Sequence, residues 1–321
     1  MTMTCKLSIV TTLYRSRETI EEFIQRAMAA AEAVTDDIEV VIVNDGSPDD
    51  SAAIVRKSVD ADPRISLVEL SRNFGHHHAM LAGLDHARGD LVFLIDSDLE
   101  EPPELLPEIA DVLRGKSVDC VYGLQQKRRG GYVERISGRL FYWLFRTLSD
   151  VGIPENVSTM RLMTRRYVDS LLRFRDKNPV FVPLSILTGY PQAPFEFVKS
   201  STSETTYSIG RRIALMLLAI TTFSARPLML MLLFSLLMAT LGILYGSYVV
   251  LGALTGPVQD GWSSLMAVVV FFFSLNAVFT GLIGLYVKQI LEEVKDRPRS
   301  IVQEIYSHKK TSESSRVLST D

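Results

Sequence analysis

Short apolar runs alternate with helical stretches along the first part of the chain. Leu7–Thr12 reads as a strand and Arg17–Ala33 as a helix rich in Ala and Glu. Ile38–Val43 is an apolar, β-branched strand that ends at Asn44-Asp45-Gly46-Ser47. Ser47-Pro48-Asp49-Asp50 then has the form of a helix start: Ser as N-cap, Pro at the first position, acids in the first turn. Ile65–Leu70 predicts a third strand and His77–Arg88 a helix ended by Gly89. Leu91–Ile95 is a fourth strand that runs into Asp96-Ser97-Asp98. Pro102-Pro103-Glu104 opens another helix, and Val118–Tyr122 is a fifth strand. This alternation predicts an α/β domain whose parallel sheet is covered on both faces. Such sheets bind ligands at the carboxyl ends of their strands, where Asp45, Asp96 and Asp98 stand.

Between Gly130 and Tyr207 the pattern is weaker. Ile136–Leu148 reads as an amphipathic helix bearing Phe141, Tyr142, Trp143 and Phe145, either packed on the core or in contact with a membrane. Tyr167–Phe174 looks helical and Phe195–Lys199 looks like a strand.

The composition then changes. No residue from Pro227 to Gln259 is charged, and none from Gly261 to Val287. Each run exceeds the ~20 residues that cross a ~30 Å hydrocarbon core. Membrane spans are expected at about 228–254 and 264–287, with a turn at Gly256-Pro257 and Asp260. A buried helical hairpin in a soluble protein competes with this reading, but two such long uncharged runs favour the membrane. Arg211, Arg212 and Arg226 precede the first run, Lys288, Lys295, Arg297 and Arg299 follow the second, and the loop between has no Lys or Arg. The positive-inside rule places both termini and the α/β domain in the cytoplasm. Ile209–Ala225 reads as a helix along the interface, with Arg211 and Arg212 at the headgroups. Gly242 and Gly246, with Gly252 and Gly256, have the small-residue spacing that allows close helix packing or contact between copies, so a homo-oligomer is among the expected states. Asn276 is the polar residue expected to mediate a contact in the second span. The expected organisation is a cytoplasmic domain over 1–207, a juxtamembrane amphipathic helix over 208–226, a two-helix membrane hairpin over 227–290 and a cytoplasmic tail over 291–321.

Charge and cysteine content add little to this. The net charge of −3 gives no reason to expect a nucleic-acid partner. The two cysteines, Cys5 and Cys120, are far apart and lack any metal-ligand spacing, which fits a reducing cytosol. The polar start and the brief apolar run Leu7–Val10 do not form a signal peptide.

The chemistry concentrates at Asp96-Ser97-Asp98, with Glu100 two residues on. Carboxylates one residue apart after a buried strand suit a hard divalent cation, Mg²⁺ or Mn²⁺, which also bridges diphosphate oxygens. The three consecutive histidines His76-His77-His78 do not form a metal site, because adjacent helical residues point about 100° apart. They read as polar residues at a helix start, with His76 alone able to approach a ligand.

Taken together, Ile9–Tyr14 (IVTTLY), Val41–Ser47 (VIVNDGS), Ser71–His76 (SRNFGH), Asp96–Pro103 (DSDLEEPP), Val121-Tyr122-Gly123, Arg161-Leu162-Met163 and Ser224–Leu228 (SARPL) resemble a family 2 glycosyltransferase in the branch of dolichyl- and undecaprenyl-phosphate sugar synthases. The resemblance spans nearly the whole chain. It implies a GT-A, Rossmann-like, mostly parallel sheet domain followed by a juxtamembrane amphipathic helix and two transmembrane helices. It also implies inverting sugar transfer from a nucleotide sugar to a polyprenyl phosphate at the cytoplasmic face of the inner membrane. By resemblance, Thr11, Tyr14, Asp45, Arg72, Gly75 and Asp96 bind the donor, and Asp96, Asp98 and Glu100 hold the metal. Asp98 and Arg161 are the catalytic candidates, and Arg161, Lys199, Tyr207, Arg211 and Arg212 the candidates for the acceptor phosphate.

Some positions depart from the family pattern. Thr12 and Arg15 replace a Pro and an Asn, Gln125 replaces an Arg, and Ser158-Thr159-Met160 replaces Gly-Asp-Phe. The acid some relatives carry is therefore missing. A phosphate acceptor is already ionised and needs cations rather than a base. Two alternatives stay open: a membrane-anchored nucleotide-sugar binder without turnover, and a processive polysaccharide synthase, although neither Trp143 nor Trp262 lies in a QxxRW-type motif.

Overall fold

The computed structural model describes residues 5–126, 154, 156–198, 224–255 and 261–308. The chain divides into two compact units, one of residues 1–135, 153–206 and 298–321, the other of residues 136–152 and 207–297.

The first unit is built on one sheet of eight strands in the order β7-β5-β6-β4-β1-β2-β3-β8. These strands are β1 (Leu7–Leu13), β2 (Ile38–Asn44), β3 (Ile65–Leu70), β4 (Leu91–Leu94), β5 (Cys120–Gln125), β6 (Val157–Thr164), β7 (Gln192–Phe197) and β8 (Val302–Ser307). The central four run parallel, β2 and β4 flanking β1 and β3 flanking β2. β6 enters antiparallel between β4 and β5, so the sheet is mixed and mostly parallel. The helices are α1 (Ile20–Glu32), α2 (Ser51–Ala61), α3 (His76–His86), α4 (Leu106–Lys116), α5 (Arg165–Leu172) and α6 (Phe181–Leu187), with a 3₁₀ turn at Pro103–Leu105.

Both faces of the sheet are covered, as the alternation predicts. On one face Leu7, Ile9 and Leu13 of β1 share a core with Phe23 of α1, Val55 of α2 and Ile109 of α4. α1 reaches that core with Ile20, Phe23, Ile24, Ala27 and Ala31, the 3–4 spacing of an amphipathic helix, and its first turn carries Glu21 and Glu22. On the other face α3 packs on β1 and β2, and α5 packs on α3, β4 and β6. The approach of α3 is close. A Cβ added to Gly83 would meet Val10 Cγ1 at 2.5 Å and Val43 Cγ2 at 2.9 Å.

Two expectations need correction. α2 begins at Ser51 and not at Ser47, because Ser47 and Asp49 are engaged elsewhere: Asp49 accepts from the Ser47 hydroxyl at 2.6 Å and from the backbone N–H of Ser51 at 3.2 Å. The segment over 291–321, read as a tail, contains β8, which pairs antiparallel with β3 from Ser66↔Ser307 to Leu70↔Val302. Its exposed Gln303 and Glu304, on opposite faces of an edge strand, interrupt the apolar pattern and hide it from a search for apolar runs. The predicted helix over Ile136–Leu148 lies outside the described residues, as does the interface helix over 209–225 apart from its last two residues.

In the second unit α7 (Arg226–Thr255) and α8 (Trp262–Val294) are both long and apolar enough to cross a membrane. The apolar windows Arg226–Tyr245 and Phe271–Val294 are 0 % buried. Phe234 and Phe279 meet edge to face at 5.9 Å, and Tyr286 donates to Ser224 O at 2.9 Å. The Asn276 side chain accepts within its own helix, from the Thr280 hydroxyl at 3.4 Å to its Oδ1.

Candidate active site

Strands β3, β2, β1 and β4 lie side by side with β6 beyond β4, and the loops that leave the carboxyl ends of the four parallel strands form the site. At the end of β2, Asp45 is only 3 % exposed. One of its oxygens accepts from Phe74 N at 2.7 Å and the other from Gly75 N at 3.0 Å. Burial pushes its carboxyl upward, opposed by those two donors and by the nearby His76 and Arg72. Gly46 has φ +63°, and a Cβ there would meet Asn73 N at 2.6 Å and the Arg72 carbonyl carbon at 2.8 Å. The Asp-Gly pair thus clamps loop 71–75 by two hydrogen bonds and a close backbone contact. Arg72 lies on this loop, exposed, with its guanidinium 4.0 Å from the centre of the Phe74 ring.

Asp49 braces the next turn. It also accepts from Arg17 N and the Ser51 hydroxyl. Burial acts to raise its pKa, but these donors together hold it down to about 2. Ser47 in turn accepts from Arg15 N at 2.8 Å. Arg15, standing where the resemblance expects Asn, has φ +57°, a left-handed conformation that Asn adopts more readily. Tyr14 is 45 % exposed beside it, with the Arg15 guanidinium 5.6 Å from its ring centre.

At the end of β4, Asp96 is half-buried. Ser97 is buried and donates to Thr12 O at 2.9 Å, which fixes the turn against β1. Asp98 is exposed, and Glu100 N donates to its carboxylate at 3.0 Å, an Asx-turn closed by Leu99 at φ +60°. Glu100, expected as a third ligand, does not converge with Asp96 and Asp98. Among the described residues no three metal-ligating side chains converge.

His76 links the two strand ends. Its Nε2 lies 3.4 Å from Asp96 Oδ1 and its Nδ1 3.1 Å from the Thr12 hydroxyl. The sequence singles out His76 alone of the three as able to approach a ligand, since it directly follows loop 71–75; its contacts with Asp96 and Thr12 put it at the strand ends. His77 Nδ1 is 3.0 Å from Pro179 O, and since a carbonyl only accepts, that nitrogen carries the proton. Burial, then the charge of His76, lowers the His77 pKa.

Arg161 sits on β6 opposite Leu94 of β4 and is 1 % exposed. Its Nη2 donates to Ser158 O at 3.1 Å, its Nε to Thr159 O at 3.2 Å, and its guanidinium stands 4.7 Å from the centre of the Phe181 ring. Among the described residues no carboxylate pairs with it. Taking a cation out of water is costly, and the two carbonyls and the ring face offset part of that cost.

The structure therefore brings Asp45, Arg72, Gly75 and His76 together on one side and Asp96 and Asp98 beside them, with Arg161 one strand away. Thr11 does not belong to this group. It points with Ile9 and Leu13 toward the α1 core at 0 % exposure, and its hydroxyl has no hydrogen-bond partner among the described residues. Thr12, one residue on, is the position that reaches the site. Lys199, Tyr207, Arg211 and Arg212 lie outside the described residues.

The glycosyl transferase family 2 profile matches residues 8–172. Glycosyltransferase YkcC of Bacillus subtilis, itself uncharacterized, is 35 % identical over 303 residues, covering 93 % of this chain and 94 % of its own. An undecaprenyl-phosphate 4-deoxy-4-formamido-L-arabinose transferase of an Enterobacter species is 31 % identical, covering 94 % of each chain. A prophage bactoprenol glucosyl transferase homolog of Escherichia coli is 27 % identical, covering 94 % of this chain and 99 % of its own. Among solved structures, a mannosyltransferase of Pyrobaculum calidifontis in complex with GDP-Man and Mn²⁺ gives a TM-score of 0.48 at 18 % identity, covering 92 % of this chain and 87 % of its own. On the profile match and these near full-length relatives, the chain belongs to glycosyl transferase family 2 and is a glycosyltransferase.

Proposed function

We propose that the protein transfers a sugar, with inversion, from a nucleotide-sugar donor to a polyprenyl phosphate at the cytoplasmic face of the membrane. Arg161 carries this reading: a buried guanidinium with no carboxylate partner among the described residues, one strand from the Asp96/Asp98 pair. The acceptor class comes from relatives named for undecaprenyl-phosphate and bactoprenol sugar transfer.

An acceptor phosphate oxygen attacks the anomeric carbon while the bond from that carbon to the nucleotide diphosphate breaks, and the electron pair leaves with the diphosphate. The phosphate is already ionised, so the lack of an acid at Thr159 costs nothing. Arg161 orients the phosphate and offsets its charge, and Lys199, Arg211, Arg212 and Tyr207 are proposed to complete its binding. Tyr14, Arg72 and Asp96 face the donor, while Asp45 and Gly75 shape its loop. Asp96 and Asp98 are hard oxygen donors at a strand end, half-buried and exposed, and are the residues that would hold a Mg²⁺ or Mn²⁺ ion. Such an ion, when bound, offsets the charge that develops on the departing diphosphate.

Membrane insertion is supported by α7 and α8, whose long apolar windows are exposed among the described residues. β8 adds a topological condition. It shares a sheet with β1–β7, so the chain between β7 and β8 must cross the membrane an even number of times. Two spans meet this condition, and the flanking arginines and lysines favour the cytoplasmic side.

A kinetic comparison of Arg161→Lys with the wild type tests the proposal. Lysine keeps the charge and loses the planar fork. kcat/KM for undecaprenyl phosphate is expected to fall by on the order of a hundredfold, about 3 kcal/mol of transition-state stabilisation, with nucleotide affinity kept. Unchanged kinetics toward the lipid, or loss confined to nucleotide affinity, would move Arg161 out of the acceptor site.

A further inference from the structure

Residues 295–301 join α8 to β8, and from Arg299 to Ile301 they run beside loops 71–75 and 173–180. Ser71 N donates to Ile301 O at 2.9 Å, which fixes the first residue of loop 71–75. Two residues earlier, Arg299 Nε donates to Asp176 O at 3.2 Å, in the loop between α5 and α6. That second loop carries Pro179, the carbonyl that holds His77. Both loops meet at the start of α3: the first runs into its N-cap, Gly75, and the second grips its second residue. The half-buried Arg299 is close enough for its charge to act on the third, His78.

The strand behind this segment has its own anchors. Tyr306 donates to Asp60 at 2.7 Å and lies under the Arg56 guanidinium at 5.5 Å. Arg56 also bridges Glu69 at 2.8 Å and Glu304 at 3.4 Å. With the β3 pairing, these contacts hold β8 without any help from Arg299. The bond to Asp176 is therefore a link to the loop and not what keeps the strand in place.

We infer that the strap after the second apolar helix is part of the frame of the donor site, with Arg299 as a positioning residue that ties loop 173–180 to loop 71–75. Through these two loops it sets where the first turn of α3 stands, and with it His76 beside Asp96. The inference rests on the reading of loop 71–75 as donor-binding. Only Lys295–Pro298 separate the end of α8 from Arg299, so this strap is also the covalent route from the hairpin to the site.

Hydrogen–deuterium exchange on the full-length protein in detergent, without donor, tests the link in Arg299→Ala, with Tyr306→Phe as the control. Exchange in peptides covering 71–78 and 174–181 is expected to speed up on the order of fivefold in Arg299→Ala, the size of one lost hydrogen bond, with β1 and β2 unchanged. Tyr306→Phe should leave both loops as in the wild type. Unchanged loop exchange in Arg299→Ala would overturn the inference, and so would a uniform rise across the sheet, which would mean a merely structural role. If Arg299→Ala does not fold, Arg299→Gln reads the same quantities. Binding of UDP and GDP with Mn²⁺ gives a second readout, with an affinity loss of a few-fold expected in the variant. A wild type that binds neither nucleotide would sink the donor-site reading, while the exchange result would still decide whether the strap orders the loops.

Discussion

Asp45 uses both carboxylate oxygens on the backbone N–H groups of Phe74 and Gly75. Its presence in a ligand motif was legible in the sequence. That it braces a loop was not, because its partners lie 29 and 30 residues away. The histidines show the same limit. The helix is expected from His77 and begins at His76, but the contact with Asp96 depends on two strands meeting, and the environment of His78 depends on Arg299, far along the chain. Burial, then the charges of His77, Arg299 and Arg72, hold His78 at about 4, against an ordinary value of 6.5. As pH falls below about 6.5, the unfolded chain binds a proton that the folded chain resists. The stabilisation from His78 is thus complete above about pH 6.5 and is lost as pH falls through 4, with His77 shifted in the same direction. The thermal midpoint should drop between pH 7 and 5, and less steeply in His78→Gln. Equal slopes would show that His78 does not carry the effect.

Among the elements, the central strands were the most legible. β1 to β4 are apolar runs buried on both faces, and their sequences need no partner to declare them. β6 and β8 were missed for different reasons. β6 mixes Ser and Thr with a buried arginine, and β8 is an edge strand whose apolar and charged residues make sense only against β3 and α2. The loops carry the element-scale prediction. Gly46 combines a left-handed φ with contact to the backbone of Arg72 and Asn73, so Gly46→Ala must displace loop 71–75. A loss of about 1–3 kcal/mol in stability is expected, together with a clear loss of nucleotide affinity, read by thermal unfolding and by UDP or GDP titration. Wild-type affinity in Gly46→Ala would mean that the loop does not shape the donor site.

At the scale of the whole molecule, the two apolar helices are plain from their uncharged runs, but the return of the chain to its first unit is not. β8 makes the hairpin an insertion within a continuous sheet, so the chain leaves and re-enters the first unit on the same side of any membrane it crosses. A cysteine placed at Gln259 should react with an impermeant maleimide added outside intact cells, and one placed at Ser312 only after permeabilisation. The reverse pattern would contradict the proposed sidedness. Transfer to a lipid phosphate requires that turnover depend on the lipid. Purified full-length protein in detergent with Mn²⁺ or Mg²⁺ would be given a panel of nucleotide sugars, with and without undecaprenyl phosphate, and the lipid product weighed by mass spectrometry. The expected product is one sugar heavier than the lipid phosphate, matched by nucleoside diphosphate release that depends on the lipid and disappears in Asp98→Ala. Tight donor binding across the panel with no lipid product, or nucleotide release indifferent to the lipid, would contradict it.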